Sequence, residues 1–225
     1  MTLVAGADVW KGQWVAVVLE DCRFSQAVTG KTILDVMAKA GDVSVLAVDI
    51  PIGLSDGGGH RECDIEARSL LGPRSSSVFL TPPREIISEP DYRKANELCK
   101  DRFGCGVSRQ AHALRTKILE VDRVARNDHR LIEAHPEVSF CTMKRAILSY
   151  SKKTWNGQNE RRRLLASQGI QLPGDLAEAG LAQPDDVLDA AAVAWTAWRA
   201  LEARAETLPA SSTGCSLDHR PVIWR

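Results

Sequence analysis

The sequence predicts an α/β fold in a single domain over residues 1–225: a mixed five-stranded sheet flanked by helices, with a helical insertion at about 55–128 between the fourth and fifth strands. Three observations carry this prediction. Three Val- and Ala-rich runs precede the first helical pattern, and a short continuous β-branched run follows it. Near the C-terminal end, an Ala- and Trp-rich stretch is apolar almost all round, as a buried helix is. With 225 residues, 44% of them apolar, the chain can bury one sizeable core but falls short of two.

Leu3 to Ala7 and Trp14 to Leu19 read as strands joined by a short polar turn containing Lys11 and Gly12, and Phe24 to Thr29 as a weaker third strand. Thr32 to Ala40 carries helical spacing at Ile33, Val36 and Met37. Val43 to Val48 has the continuous apolar character of a strand buried on both faces. In the insertion, Glu62 to Leu71 is expected to be helical up to Gly72-Pro73, with two more helices at Tyr92 to Arg102 and Gln110 to Val124. Asp56-Gly57-Gly58-Gly59 reads as a flexible lip, and without a following Gly-Lys-Ser/Thr it is not a Walker loop. Leu131 to Ala134 supplies the fifth strand, and the last long helix starts near Pro184. The tail at about 207–225 is polar and loose up to His219, after which Val222, Ile223 and Trp224 suggest that the terminus docks on the body.

Equal numbers of acidic and basic residues remove the global attraction to phosphate of most non-specific nucleic-acid binders. No apolar run is long enough to span a bilayer, and Asp8 and Lys11 interrupt the N-terminal run before it could serve as a signal segment; a soluble, cytoplasmic protein is expected. Cys22, Cys63, Cys99, Cys105, Cys141 and Cys215 are dispersed, as buried free thiols would be. His60 with Cys63, Cys99 and Cys105 lacks the tight paired spacing of a zinc site.

The chemistry is expected at acids that end or begin core elements. Asp8 follows the first strand, Asp49 ends the fourth, and Asp186 and Asp189 lie three apart on one face of the last helix. Brought together, they form a hard, oxygen-only cage suited to Mg²⁺ or Mn²⁺. Each acid also has a plainer role. Asp after a strand often starts a turn, and Asp185 or Asp186 could cap the helix, although Asp189 sits a full turn too deep to do so. Glu133-Ala134-His135-Pro136-Glu137 adds a strand-borne carboxylate, Glu133, a histidine that reads as a core or rim residue or as a base, and Glu137.

From Lys144 to Arg163 the bases Lys144, Arg145, Lys152, Lys153, Arg161, Arg162 and Arg163 face the single acid Glu160, with Tyr150 and Trp155 interleaved. A phosphate-tracking groove with stacking platforms needs these residue types, and a solvated helix plus loop has the same composition. Lys11, Arg74, Ser75, Ser76 and Ser77 are further candidate phosphate holders, or else satisfy loop backbone.

Five segments, Gly6 to Trp14, Val48 to Leu54, Leu71 to Phe79, Glu133 to Phe140 and Asp185 to Ala190, together resemble the family catalogued as domain of unknown function 429, the predicted RNase H-like nucleases. The resemblance implies an RNase H-like fold in which Asp8, Asp49 and the final-helix pair Asp186 and Asp189 hold divalent metal. That pair is similar to the Asp-x-x-Asp-Ala of Holliday-junction resolvases. The implied activity is phosphodiester hydrolysis on nucleic acid by two ions about 4 Å apart. One departure is Val9, where the family commonly has Gly after the first Asp; it is expected to narrow the space beside the metals. Two other classes compete: an actin-like or sugar-kinase phosphotransferase, of which this chain is about the size of one lobe, and a non-catalytic scaffold or binding protein.

Overall fold

The computed structural model describes residues 2–57, 59–210 and 221–225. Strands β1 (Leu3–Trp10), β2 (Gln13–Glu20) and β3 (Arg23–Gly30) form an antiparallel meander. Its two turns, Lys11-Gly12 and Asp21-Cys22, have positive φ at both residues, the geometry whose twist matches the flanking strands. Helix α1 (Ile33–Ala40) starts at a capping box in which Thr32 and Asp35 satisfy each other's backbone N–H. Strand β4 (Val45–Val48) then runs parallel to β1, and β5 (Leu131–Glu133) parallel to β4, giving the order β3-β2-β1-β4-β5.

The insertion between β4 and β5 comprises α2 (Glu62–Leu71), a 3-10 turn (Gly72–Ser77), α3 (Arg84–Ser88), α4 (Tyr92–Phe103), α5 (Arg109–Ala113) and α6 (Arg115–Ala125). The single helix expected from Gln110 to Val124 is broken at Leu114, whose φ of −87° and ψ of 0° leave the helical region. After β5 come α7 (Pro136–Lys144), α8 (Trp155–Ser167), a second 3-10 turn (Ala177–Leu181) and α9 (Pro184–Leu201). The docking terminus is borne out: β6 (Thr207–Leu208) pairs with β7 (Ile223–Trp224), and Trp224 bridges to Ala134 beside β5. The tail is therefore ordered at 207–208, while most of the stretch expected to be loose, 211–220, lies outside the described residues, as does Cys215.

Alternation along the strands sorts the core into two layers. Val4, Val15, Val17 and Ala47 pack on the α9 side, whereas Ala5, Ala7, Trp14, Leu46 and Val48 pack on the α1 and α6 side. Helix α9 crosses β1, β2 and β4 and approaches β1 at Gly6, where a Cβ would collide with the Ala194 nitrogen and the Ala190 oxygen. Gly6→Ala is expected to cost about 2–3 kcal/mol, because backbone rather than a flexible side chain must yield. Chemical denaturation checks this; a loss under about 0.5 kcal/mol would show that α9 is free to shift.

The five described cysteines, Cys22, Cys63, Cys99, Cys105 and Cys141, are free thiols. Cys63 packs with Leu71 and Ile223, whereas Cys99 and Cys105 sit in another cluster under α4, so the four-residue zinc set does not assemble. Among the described residues, no helix is long and apolar enough to cross a membrane.

Candidate functional site

In the parallel pairing of β1 and β4, Ala7 stands opposite Val48, and Asp49 N donates to Ala7 O at 3.0 Å. Asp8 and Asp49 are thus the next residues on adjacent strands, and alternation from Val4 and Ala47 turns both toward α9. This is the carboxyl end of the sheet, where chain order departs in opposite directions from β1, the place where open α/β sheets bind ligands. The start of α9 delivers Asp186 and Asp189 to the same end. A cavity of about 310 Å³ opens there, lined among others by Asp8, Asp49, Asp186, Glu133, His135 and Lys152. Asp189, one turn further along α9, is not part of the lining and is 1% exposed.

Helix capping does not account for the α9 acids. The N-cap is Gln183, with Pro184 at the first turn and no side-chain cap bond. Turn formation accounts for only part of Asp8, whose Oδ1 accepts Val9 N at 2.6 Å. All four carboxyls are held above the usual range. Burial is the largest cause at each, followed for Asp8 by the charges of Asp49 and Asp189, and for Asp186 by that of Asp185. For Asp49, burial outweighs the opposing pull of His135 and Lys152. Burial pushes Asp189 to about 6 against the pull of Lys152.

Lys152 is the cation of this cluster. Its ammonium pairs with Asp189 Oδ2 and lies 3.8 Å from Asp185 Oδ2, which Lys153 Nζ approaches to 2.5 Å. Burial works against the Lys152 charge, but Asp189, Asp8 and Asp49 outweigh it and raise its pKa. Asp189 Oδ1 is buried and has no hydrogen-bond partner. One ammonium among four carboxylates leaves negative charge uncompensated, which suits the donor set to a hard divalent cation. Among the described residues, however, no three His, Cys, Asp or Glu side chains are grouped to hold an ion as they stand.

The raised pKa values have a signed consequence for stability. A carboxyl with a raised folded-state pKa contributes stability below its unfolded pKa and loses it as pH rises through the folded value. In chelator, the melting temperature of Asp8→Asn should therefore gain on wild type as pH rises above about 4, the unfolded carboxyl value. A constant or shrinking difference would mean that Asp8 titrates as an exposed acid does.

The other expected site residues are distributed unevenly. Glu133, opposite Val48, projects to the α1 and α6 side of the sheet. It reaches the cavity wall with both oxygens taken by Arg61, at 2.5 and 2.8 Å, and by Ile52 N at 2.7 Å, so it is not free to act with the four aspartates. Arg161 does not face a phosphate groove: it is fully buried, paired with Glu137, donates to Tyr150 O and Gly157 O, and lies over the Phe140 ring. Arg162 is exposed on α8 away from the cavity lining. Arg74 Nε donates to Leu148 O and the Ser77 hydroxyl to Arg74 O, so Arg74 and Ser77 satisfy loop backbone, Ser77 also lining the cavity; the Ser75 carbonyl accepts from Arg68, and Ser76 is exposed outside the cavity. Lys11 stacks over Trp10 in the first turn. Val9 packs with the α1-side cluster and also lines the cavity.

Sequence reasoning missed Arg61 and Asp64, which with Glu133 form a buried ion-paired triad: Arg61 Nη2 lies 2.6 Å from Asp64, and Thr81 N donates to Asp64 at 2.7 Å. A single Arg beside a glycine run carries no periodic signal that would mark it as buried. No curated protein and no solved structure matches this chain. The family profile described as "Protein of unknown function (DUF429)" matches residues 6–213, nearly the whole sheet, insertion and α9, and the chain belongs to that family.

Proposed function

We propose that this protein is a divalent-metal-dependent phosphodiester hydrolase of RNase H-like architecture. The observation that carries the reading is the convergence of Asp8, Asp49 and Asp186, from two adjacent parallel strands and one helix, on a single cavity, with Asp189 one turn further along that helix; burial raises all four carboxyls, and a neighbouring acid raises each of them further. These four would hold Mg²⁺ or Mn²⁺, which when bound supplies an activated water and charge stabilisation at the leaving oxygen. The chain's own groups do the rest. Gly6 and the small residues of α9 fix the acids against β1, and the Arg61 triad fixes the loop after Asp49. Lys152, which lines the cavity beside Asp189, would hold a phosphate oxygen there.

A second reading has one observation in its favour. The Lys152–Asp189 pair partly neutralises the cluster from within, as a non-catalytic scaffold would. Manganese-dependent hydrolysis of bis(4-nitrophenyl) phosphate decides between them. Turnover by wild type that is lost in chelator upholds the hydrolase; none at any Mn²⁺ concentration, with no thermal stabilisation by the ion, leaves the scaffold.

A further inference from the structure

We propose, resting on the hydrolase reading, that the site takes one nucleotide unit at a time, as a small nucleoside phosphodiester or a single-stranded chain end, and does not bind duplex in a surface groove. The cavity is the first reason. At about 310 Å³ it sits at the lower bound of pockets that enclose small organic ligands, which is room for one base and its phosphate. The insertion builds its outer wall. The break at Leu114 brings Gln110 and Leu114, from the α5–α6 junction, onto the cavity. The segment after the first 3-10 turn alternates, with Phe79 and Thr81 on this cavity and Leu80 and Pro82 on a smaller neighbouring pocket.

The wall has the chemistry to recognise a base. Phe79 supplies an aromatic face, the element on which single bases stack. Two polar atoms of the lining are buried without a hydrogen-bond partner, Thr81 Oγ1 and His135 Nδ1. His135 Nε2 is 3.2 Å from Ser77 O and donates to that carbonyl, so Nδ1 is the ring nitrogen without a partner. Unpaired buried hydroxyl and imidazole groups are costly, and a base edge would satisfy them once those side chains turn toward the cavity, from which both atoms are closed off as they stand.

The second reason is that four of the seven bases in the basic stretch are paired with acids of the chain, which leaves Arg145, Arg162 and Arg163 exposed. Lys144 pairs with Glu160, Lys152 with Asp189, Lys153 with Asp185 and Arg161 with Glu137. A duplex-tracking groove would need those cations at the surface, where neutralising six to ten phosphates makes affinity fall by about 10³–10⁵ between 50 and 200 mM salt.

The test is competitive binding in Ca²⁺ at both salt concentrations. The probe is thymidine 5′-(4-nitrophenyl phosphate), and the competitors are a 10-nucleotide single strand and a 20-base-pair duplex. The ester should bind with an affinity that changes by less than about threefold between the two salts, and the duplex should not displace it. Phe79→Ala should weaken the ester at least about tenfold while Mn²⁺ stabilises that variant as it does wild type. Displacement by the single strand assigns chain ends as the source, and none assigns free nucleotides; either upholds the proposal. Duplex displacement with steep salt dependence, or ester binding unchanged in Phe79→Ala, overturns it. If Mn²⁺ fails to stabilise wild type while the ester still binds through Phe79, the hydrolase reading falls and the one-nucleotide pocket stands.

Discussion

Arg61→Ala should destabilise the protein by about 3–5 kcal/mol, a large share of the roughly 5–15 kcal/mol that holds a domain folded. The Arg61 side chain is 1% exposed and bridges Asp64 at 2.6 Å and Glu133 at 2.5 Å, while Nη1 also donates to Ile52 O at 2.9 Å. Removing it leaves two buried carboxylates facing each other without a cation and frees the loop after Asp49. Arg61→Lys should recover little, because an ammonium cannot fork to both acids and the carbonyl. Pairing Arg61→Met with Glu133→Gln should recover part of the loss, since an uncharged amide is cheaper to bury than an orphaned charge. Burial already pushes the Glu133 pKa up against the pull of Arg61, so the deficit of Arg61→Ala should shrink as pH falls and the acid is protonated. Urea unfolding measures this. A loss below about 1 kcal/mol at neutral pH would mean that the triad does not hold the insertion to the sheet.

The second large effect is catalytic. Asp8→Asn should lower Mn²⁺-dependent hydrolysis by about 10³-fold or more, because a ligand that carries charge to the cation is replaced by a neutral one. Metal-free stability should be unchanged or slightly raised, since the substitution removes a charge that burial, Asp49 and Asp189 all disfavour. Asp189→Asn should behave differently. Asp189 is the direct partner of the Lys152 ammonium, so this variant should lose metal-free stability along with activity. Measuring turnover and melting temperature side by side separates the roles. If Asp8→Asn and Asp189→Asn both melt earlier without metal and Asp8→Asn keeps its activity, Asp8 is an architectural acid.

How far the sequence was readable follows from which residues carry a period. The strands from Leu3 to Thr29, the run Val43 to Val48 and the helix from Pro184 were legible because apolar spacing and turn residues agree there. The acids Asp8, Asp49, Asp186 and Asp189 were legible because they punctuate those elements. Helix α7 was not, because Pro136, Glu137, Val138, Ser139, Phe140 and Cys141 are all buried and show no amphipathic stripe. The basic stretch misled for a related reason: composition counts Arg161 and Lys152 as positive surface, but only tertiary structure shows Glu137 and Asp189 waiting for them. Glu133 followed from the motif, yet its side of the sheet is set by register with Val48, which one strand alone does not specify.

The most direct test of the central claim is calorimetric titration of Mn²⁺ into metal-free wild type and Asp8→Asn at neutral pH, with melting temperature followed in parallel. The account predicts saturable binding to wild type, a melting temperature that climbs with ion concentration, and loss of both in Asp8→Asn. Absence of saturable binding to wild type up to about 10 mM, or equal binding by the variant, would contradict it and leave these carboxylates as buried acids balanced by Lys152.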